Sequence, residues 1–172
     1  MALYVVCHPR FAEADRRWIE TIRRRHDPQA GLIAAHVTLV FEPPGMAWEA
    51  AAARMREVAG RTRRFDVGFG AVAARQGSVD GAFYAYLLPE RGGEALAELR
   101  RQLYLALLGG DPGFPFEPHV TLGRAREAAA IETLVADLRG ERLALEAAID
   151  SLHLIMPEQD RIVELARADL TA

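Results

Sequence analysis

His36-Val37-Thr38-Leu39 and His119-Val120-Thr121-Leu122 both read HVTL, so the same four residues occur twice in this chain. Each copy stands in an apolar run typical of a buried strand, where successive side chains point to opposite faces. The His and the Thr of each copy therefore share one face, while the Val and the Leu pack into the core. If the two copies face each other, two imidazoles and two hydroxyls form one site.

The repeat carries more information than either copy alone. A single histidine on a strand is more often a structural residue than a catalytic one. Here two of the five histidines are followed by the same three residues. The repeated motif therefore indicates a functional site.

The composition is that of an ordinary globular protein. The 172 residues are 51% hydrophobic, enough for one domain with a sizeable core, and the net charge of −3 gives no general attraction for long nucleic acids. All basic residues are arginine, which excludes a lysine nucleophile, and the single Cys7 excludes an internal disulfide. Without a signal peptide or a membrane-spanning stretch, we expect a monomeric cytoplasmic protein with no membrane contact.

Apolar periodicity and the Gly and Pro breakers predict an ordered series of elements. They are a strand at Leu3–Cys7, a helix at Phe11–His26, the first motif strand, a helix at Trp48–Ala59, a hairpin of Phe65–Ala73 and Ala82–Leu88, a helix at Glu94–Leu108, the second motif strand, a helix at Ala128–Leu138, and strands at Leu143–Met156 and Arg161–Leu170. A strand, a helix, a motif strand and a second helix thus recur. This order predicts a single α+β domain over residues 1–172 with two similar lobes, each with one HVTL strand.

The paired motif suits phosphoryl transfer. Imidazole has an ordinary pKa of about 6.5, so near pH 7 one histidine can be neutral while the other is protonated. One can then accept a proton from water or a hydroxyl while the other protonates a leaving oxygen, as hydrolysis of a ribose 2′,3′-cyclic phosphate needs. The two threonine hydroxyls would hydrogen-bond the non-bridging phosphate oxygens. This chemistry needs no metal and no other cofactor.

A metal site is the competing interpretation of two histidines. Zinc takes four protein ligands in structural sites and three plus water in catalytic ones. The sequence has no cysteine cluster and no HExxH motif, and the spacing of Asp111 and Glu117 near the second copy is not diagnostic. A serine hydrolase motif, a P-loop and a dinucleotide-binding glycine pattern are also missing.

The paired motifs resemble those of the two-histidine (2H) phosphoesterase superfamily, in its branch of 2′-5′ RNA ligases and RNA 2′,3′-cyclic phosphodiesterases. The stretches AHVTLVF and FEPHVTLGR carry the resemblance. It implies a bilobal, pseudo-twofold α+β fold, with antiparallel sheets lining a central cleft and helices outside. It further implies that His36 and His119 are the catalytic acid and base and that Thr38 and Thr121 bind the phosphate.

The resemblance also implies two less specific contacts. Arg124 would bind phosphate, although strict alternation places it opposite to His119 unless the strand ends or bulges near Gly123. Tyr84, which shares a strand face with Tyr86, would stack on a base; core packing is the alternative.

Several other residues have two interpretations. Phe41, Phe116 and His8 either line the cleft or have structural roles, while His26 and His153 receive no function. Two runs of arginines either contact RNA phosphates or are solvated at helix ends. They are Arg23, Arg24 and Arg25, and Arg61, Arg63 and Arg64.

The function expected from the sequence is hydrolysis of 2′,3′-cyclic phosphates at RNA ends or on small nucleotides, possible in reverse as 2′-5′ ligation. Two alternatives stay open: a non-catalytic module that binds nucleotides or RNA ends, and a hydrolase of a non-RNA cyclic phosphate. The sequence does not show which histidine is the base.

Overall fold

The computed structural model describes residues 2–41, 45–77, 80–110, 113–141 and 143–172. The helices in these ranges are α1 (Glu13–His26), α2 (Trp48–Ala59), α3 (Gly93–Leu108) and α4 (Ala128–Arg139). The strands are β1 (Tyr4–Cys7), β2 (Arg10–Phe11), β3 (Val37–Phe41), β4 (Phe65–Gln76), β5 (Phe83–Arg91), β6 (Val120–Ala125), β7 (Leu145–Ile149), β8 (Ser151–Pro157) and β9 (Ile162–Asp169). None of the helices in the described ranges has the length and apolarity needed to cross a membrane.

The strands form two antiparallel sheets. One has four strands in the order β3-β1-β8-β9, and the other has five in the order β2-β7-β4-β5-β6. The first HVTL copy leads into β3 and the second into β6, so each motif strand is an edge strand of a different sheet. The fold is therefore α+β, as the order of elements predicts, with the two antiparallel sheets and helices that the family resemblance implies.

The apolar residues of the motifs anchor both edge strands in a shared core. Val37, Leu39, Val120 and Leu122 each have 0% exposure and belong to one hydrophobic cluster that includes residues of both sheets. At about 25 cal/mol per Å² of apolar surface, such side chains each contribute roughly 1.5–3 kcal/mol when fully buried. The alternation of the motif therefore fixes which face of each strand remains for the His and the Thr.

Two helices connect the motif strands across the sheets. Helix α1 packs on β6 of the five-stranded sheet, and α3 packs on β3 of the four-stranded sheet. The backbone N–H of Phe41, at the end of β3, donates a hydrogen bond to the Tyr104 hydroxyl of α3 at 3.3 Å. Each motif strand is thus covered by the helix that precedes the other copy.

One predicted strand is wrong, because it is two strands in different sheets. Leu143–Met156 was expected to be a single strand, but β7 ends at Ile149 in the five-stranded sheet and β8 begins at Ser151 in the four-stranded sheet. Asp150 lies between them; its carboxylate accepts a hydrogen bond from Arg10 Nε at 2.8 Å, and its carbonyl accepts one from the Leu170 N–H. The apolar pattern runs through both strands and does not reveal the change of sheet.

A second difference lies at the start of α1. Phe11 was expected to be helical, but it pairs with Ala147 in the short strand β2, and the helix begins at Glu13. The hairpin of β4 and β5 is confirmed, and residues 78–79 of its turn lie outside the described ranges.

Candidate active site

Each motif histidine stands immediately before its strand and makes the same hydrogen bond. His36 Nδ1 lies 3.0 Å from the carbonyl oxygen of Ala34, and His119 Nδ1 lies 2.7 Å from that of Glu117. A carbonyl oxygen can only accept, so the proton of each neutral ring is on Nδ1. Nε2 of each ring is therefore the atom that can accept or donate a proton.

Each motif threonine lies on the same face of its strand as the histidine. Thr38 pairs with Val6 of β1, and Thr121 pairs with Tyr86 of β5; both threonines are half-buried. We call the sheet faces that carry these His and Thr side chains the motif faces. On each motif face the structure brings a histidine and a threonine together.

A β-bulge follows each motif threonine. Leu39 has no partner in the register of β1 with β3, and Leu122 has none in the register of β5 with β6. An extra residue in one strand reverses the alternation beyond it. Phe41 and Arg124 therefore return to the motif faces, where strict alternation would have placed them on the opposite side.

Arg124 is held in place by Asp80 and Tyr84. Its Nη2 donates to Asp80 Oδ2 at 2.8 Å and its Nε donates to the Tyr84 hydroxyl at 3.2 Å, while that hydroxyl donates to Asp80 Oδ2 at 2.5 Å. Hydrogen bonds from the Tyr84 hydroxyl, the Ala82 N–H and Arg124 lower the pKa of Asp80 to about 2, so the carboxylate stays charged. The guanidinium has five N–H donors, and its side chain remains 41% exposed. Arg124 therefore keeps donors for a ligand.

Tyr84 and Tyr86 follow each other along the motif face of β5. The Tyr86 ring stacks on His119 with a centroid distance of 3.5 Å and an angle of 11° between the planes. The Tyr84 ring lies 5.8 Å from that of Tyr86, and the Arg124 guanidinium lies 5.9 Å from the Tyr84 centroid. These contacts join Arg124, both tyrosines and His119 into one row.

Burial lowers the pKa of both motif histidines. The pKa of His36 falls to about 4, chiefly because burial disfavours the imidazolium. Burial also lowers the pKa of His119, although its hydrogen bond to Glu117 and the Glu117 carboxylate oppose this. His8 and the Arg23 guanidinium further lower the pKa of His36 while the Asp27 carboxylate raises it, and the Arg75 guanidinium lowers the pKa of His119.

The structure places His8 beside His36 and His153 beside His8. The His8 ring lies 6.1 Å from that of His36 and 4.8 Å from that of His153, which is buried and bonded to Glu164 at 2.8 Å. His153 has no partner threonine and so received no function from the sequence; its position near His8 depends on the pairing of β8 with β1. By contrast, His26 is exposed at the end of α1.

Other candidate residues separate into exposed and buried groups. Arg23 is buried at 1% exposure, which excludes the solvated or RNA-binding role expected for it, whereas Arg24 and Arg25 are exposed. Phe41 is 45% exposed on its motif face, and Phe116 is half-buried under the Arg100 guanidinium.

The alternative of a metal site depends on acidic residues near the second motif copy. The described ranges contain no group of three or more His, Cys, Asp or Glu side chains placed to hold a metal ion. The Glu117 carboxylate pairs with Arg75 at 2.6 Å, and Asp111 lies outside the described residues.

Comparison with known proteins identifies the family. A family profile described as the 2′-5′ RNA ligase superfamily matches residues 11–161. A Geobacillus thermodenitrificans protein named "Putative phosphoesterase" is 27% identical over 138 residues, which cover 77% of this chain and 76% of that protein.

Two solved structures share the fold. TT0787 of Thermus thermophilus superposes on this chain with a TM-score of 0.65 and is 22% identical. E. coli LigT in its complex with 3′-AMP superposes with a TM-score of 0.61 and is 21% identical. In both cases the match covers 99% of this chain and 98% of the other. These likenesses show the shared fold, and the profile match over residues 11–161 shows that the chain belongs to the 2′-5′ RNA ligase superfamily.

Proposed function

We propose that this protein is a phosphodiesterase that hydrolyses 2′,3′-cyclic phosphates, at RNA ends or on nucleotides, without a metal ion. The observation that carries the proposal is the shared geometry of His36 and His119. In both copies a backbone carbonyl holds Nδ1–H, and Nε2 is left for proton transfer beside a threonine of the same motif face. Two imidazoles prepared in this way supply the general base and the general acid that the reaction requires.

The reaction needs one proton removed and one proton added. Nε2 of one histidine takes a proton from water as the water oxygen forms a bond to phosphorus. The bond from phosphorus to one ribose oxygen breaks, and Nε2–H of the other histidine protonates that oxygen. The product is a nucleoside with a 2′- or 3′-phosphate. Each group contributes about 10²- to 10⁴-fold to the rate.

The nearby charges favour His36 as the base and His119 as the acid. His8 and the buried Arg23 guanidinium, opposed by the Asp27 carboxylate, disfavour the protonated form of His36, whose pKa is about 4. The Glu117 carboxylate, opposed by the Arg75 guanidinium that pairs with it, instead favours a proton on His119. If a 5′-hydroxyl attacks the phosphorus in place of water and the bond to the 3′ oxygen breaks, the same base and acid would instead give 2′-5′ ligation.

The remaining motif-face groups suit binding of the phosphate and the nucleoside. Thr38 and Thr121 would donate to non-bridging oxygens, where negative charge increases in the transition state. Arg124, aligned by Asp80, would bind a further phosphate oxygen with its remaining N–H groups. Tyr84, which lies beside it, would contact the base. The complex of the structurally similar LigT with 3′-AMP supports a nucleotide as the ligand class.

Hydrolysis of 2′,3′-cyclic AMP in EDTA by the wild type, His36→Ala and His119→Ala tests the proposal. We expect turnover by the wild type and a loss of at least about 100-fold in either variant. His26→Ala is the matched control, because it removes an exposed histidine that the mechanism does not use. Wild-type activity that EDTA abolishes, or variants that keep their rate, would refute the proposal.

A panel of substrates then distinguishes the two alternatives. An inactive protein that binds nucleotides, with an affinity that changes in His36→Ala, would be a binding module. Turnover of cyclic phosphates only when they lack a ribonucleoside would identify a hydrolase of a non-RNA substrate.

A further inference from the structure

The three residues before His36 are held by side chains from outside their own segment. Arg23 Nη2 donates to the Ile33 carbonyl at 3.0 Å, and the Ala35 N–H donates to Glu20 Oε1 at 2.7 Å. His8 Nδ1 donates to the Ala35 carbonyl at 3.0 Å. Between these contacts lies the Ala34 carbonyl, the group that orients His36. The orientation of the catalytic ring therefore depends on this segment.

Two of these side chains, Arg23 and Glu20 of α1, form a buried ionic network with Asp27, which follows the helix. Arg23 Nη1 donates to both carboxylate oxygens of Glu20 at 3.1 Å, and its Nε and Nη2 donate to Asp27 Oδ2 at 3.1 and 2.9 Å. The side chains of Arg23, Glu20 and Asp27 are 1%, 15% and 3% exposed. A buried and fully paired network of this kind gives a single rigid arrangement.

The second motif copy is held by different means. Arg100 of α3 is 5% exposed, and its guanidinium lies 4.7 Å from the ring centroid of Phe116, which stands three residues before His119. Ile33 stands three residues before His36, so a buried arginine reaches the same position in both copies. His119 is further supported by the stacked Tyr86 ring, whereas Val6 occupies that strand position beside the first copy. His36 therefore relies on the backbone before it.

We propose that Glu20, supported by Arg23, is a positioning residue for His36. This inference rests on the proposed function, because it assigns how the base of that reaction is oriented. Glu20 fixes the Ala35 N–H, the backbone between Ala34 and Ala35 keeps its orientation, and the Ala34 carbonyl keeps the proton of His36 on Nδ1. Loss of Glu20 lets the imidazole rotate and exchange tautomers, while Arg23 remains paired with Asp27.

Steady-state kinetics of Glu20→Ala and Glu20→Gln on 2′,3′-cyclic AMP test the positioning role. For Glu20→Ala we expect kcat to fall by about 10- to 100-fold, as for a misplacement of about 1 Å, with KM nearly unchanged. Glu20→Gln should recover part of the rate, because the amide oxygen can still accept from the Ala35 N–H although the amide NH2 no longer accepts from Arg23 Nη1. Glu13→Ala is the matched control on the same helix, since Glu13 forms an exposed ion pair with Arg16.

A double variant separates positioning from general destabilisation. If Glu20 acts through His36, adding Glu20→Ala to His36→Ala should cause no further loss of rate. An equal loss in both backgrounds would overturn the proposal, because it would show that Glu20 acts through the fold.

Imidazole ¹⁵N NMR provides a test that does not depend on turnover. The wild type should show His36 with its proton on Nδ1, and Glu20→Ala should show a mixture of tautomers. If the wild type hydrolyses no cyclic phosphate, the proposed function fails, and the NMR result decides the positioning role alone. Unchanged His36 signals in folded Glu20→Ala would overturn the positioning role of Glu20.

Discussion

The stacking of Tyr86 on His119 allows a quantitative prediction for Tyr86→Leu. The rings are 3.5 Å apart and nearly parallel at 11°, so the tyrosine covers one face of the imidazole and limits its rotation. Burial raises the pKa of Tyr86 to about 12, so the phenol is neutral at neutral pH and the substitution removes a ring rather than a charge.

The expected loss follows from the energy of an aromatic pair. Such a pair contributes about 0.5–1.5 kcal/mol beyond the area it buries. At 1.36 kcal/mol per tenfold change, kcat should fall by roughly 2- to 12-fold if that energy holds the productive ring orientation. Because burial lowers the pKa of His119, removal of the covering ring should also raise that pKa toward its ordinary value.

Two measurements check this prediction. They are kcat for 2′,3′-cyclic AMP and an NMR titration of the His119 ring, each for the wild type, Tyr86→Leu and Tyr86→Phe. The phenylalanine variant keeps the stacked ring and should behave as the wild type in both. An unchanged His119 pKa in Tyr86→Leu, or an equal loss of kcat in Tyr86→Phe, would refute the reasoning.

Three further predictions concern stability and binding. The pKa of His36 is about 4 when folded and about 6.5 when unfolded, so the unfolded state binds more protons between these values and stability should fall as pH decreases from 6.5 to 4. Urea unfolding at several pH values should show this dependence, and His36→Ala should reduce it; an undiminished dependence would contradict the cause. A methyl group at Gly123 would lie 2.8 Å from a leucine side chain of α4, whereas one at Gly31 would meet nothing within 4 Å. Gly123→Ala should therefore cost about 1–3 kcal/mol in the free energy of unfolding, and Gly31→Ala less than about 0.5 kcal/mol; equal costs would be the contrary result. Loss of a charged hydrogen bond costs about 1.5–3 kcal/mol, so Arg124→Ala should raise KM for the cyclic nucleotide roughly 10- to 100-fold, while the exposed Arg126→Ala should not; an unchanged KM in Arg124→Ala would remove Arg124 from the phosphate site.

Local sequence signals were sufficient for most of the elements. Helix α2 begins at Trp48 and ends at Ala59 as predicted, because an alanine-rich helical pattern is closed there by Gly60. The motif strands could be predicted equally well, since an apolar Val and Leu alternate with the His and the Thr. Apolar periodicity and Gly or Pro breakers are properties of a few neighbouring residues, so elements that depend only on them can be predicted from the sequence.

Features that depend on distant pairing could not be predicted. The bulges at Leu39 and Leu122 arise from the registers of β3 with β1 and of β6 with β5. The sequence could only indicate that Arg124 needed such an irregularity to reach the His119 face. Similarly, the run of three arginines at Arg23 predicts a solvent-exposed side chain. Arg23 is buried because the segment after α1 folds back over it and brings the Ile33 carbonyl to its guanidinium.

The most direct test of the division of proton transfer between His36 and His119 is a leaving-group experiment. A nucleoside 4-nitrophenyl phosphodiester releases a stable phenolate, which needs no general acid, whereas a 2′,3′-cyclic phosphate releases a ribose oxygen that does. We expect His119→Ala to lose far less rate on the nitrophenyl ester than on 2′,3′-cyclic AMP. His36→Ala should lose about the same factor on both, because each reaction needs an activated water. Equal losses of both variants on both substrates, or the reverse order, would contradict the assignment of His36 as base and His119 as acid.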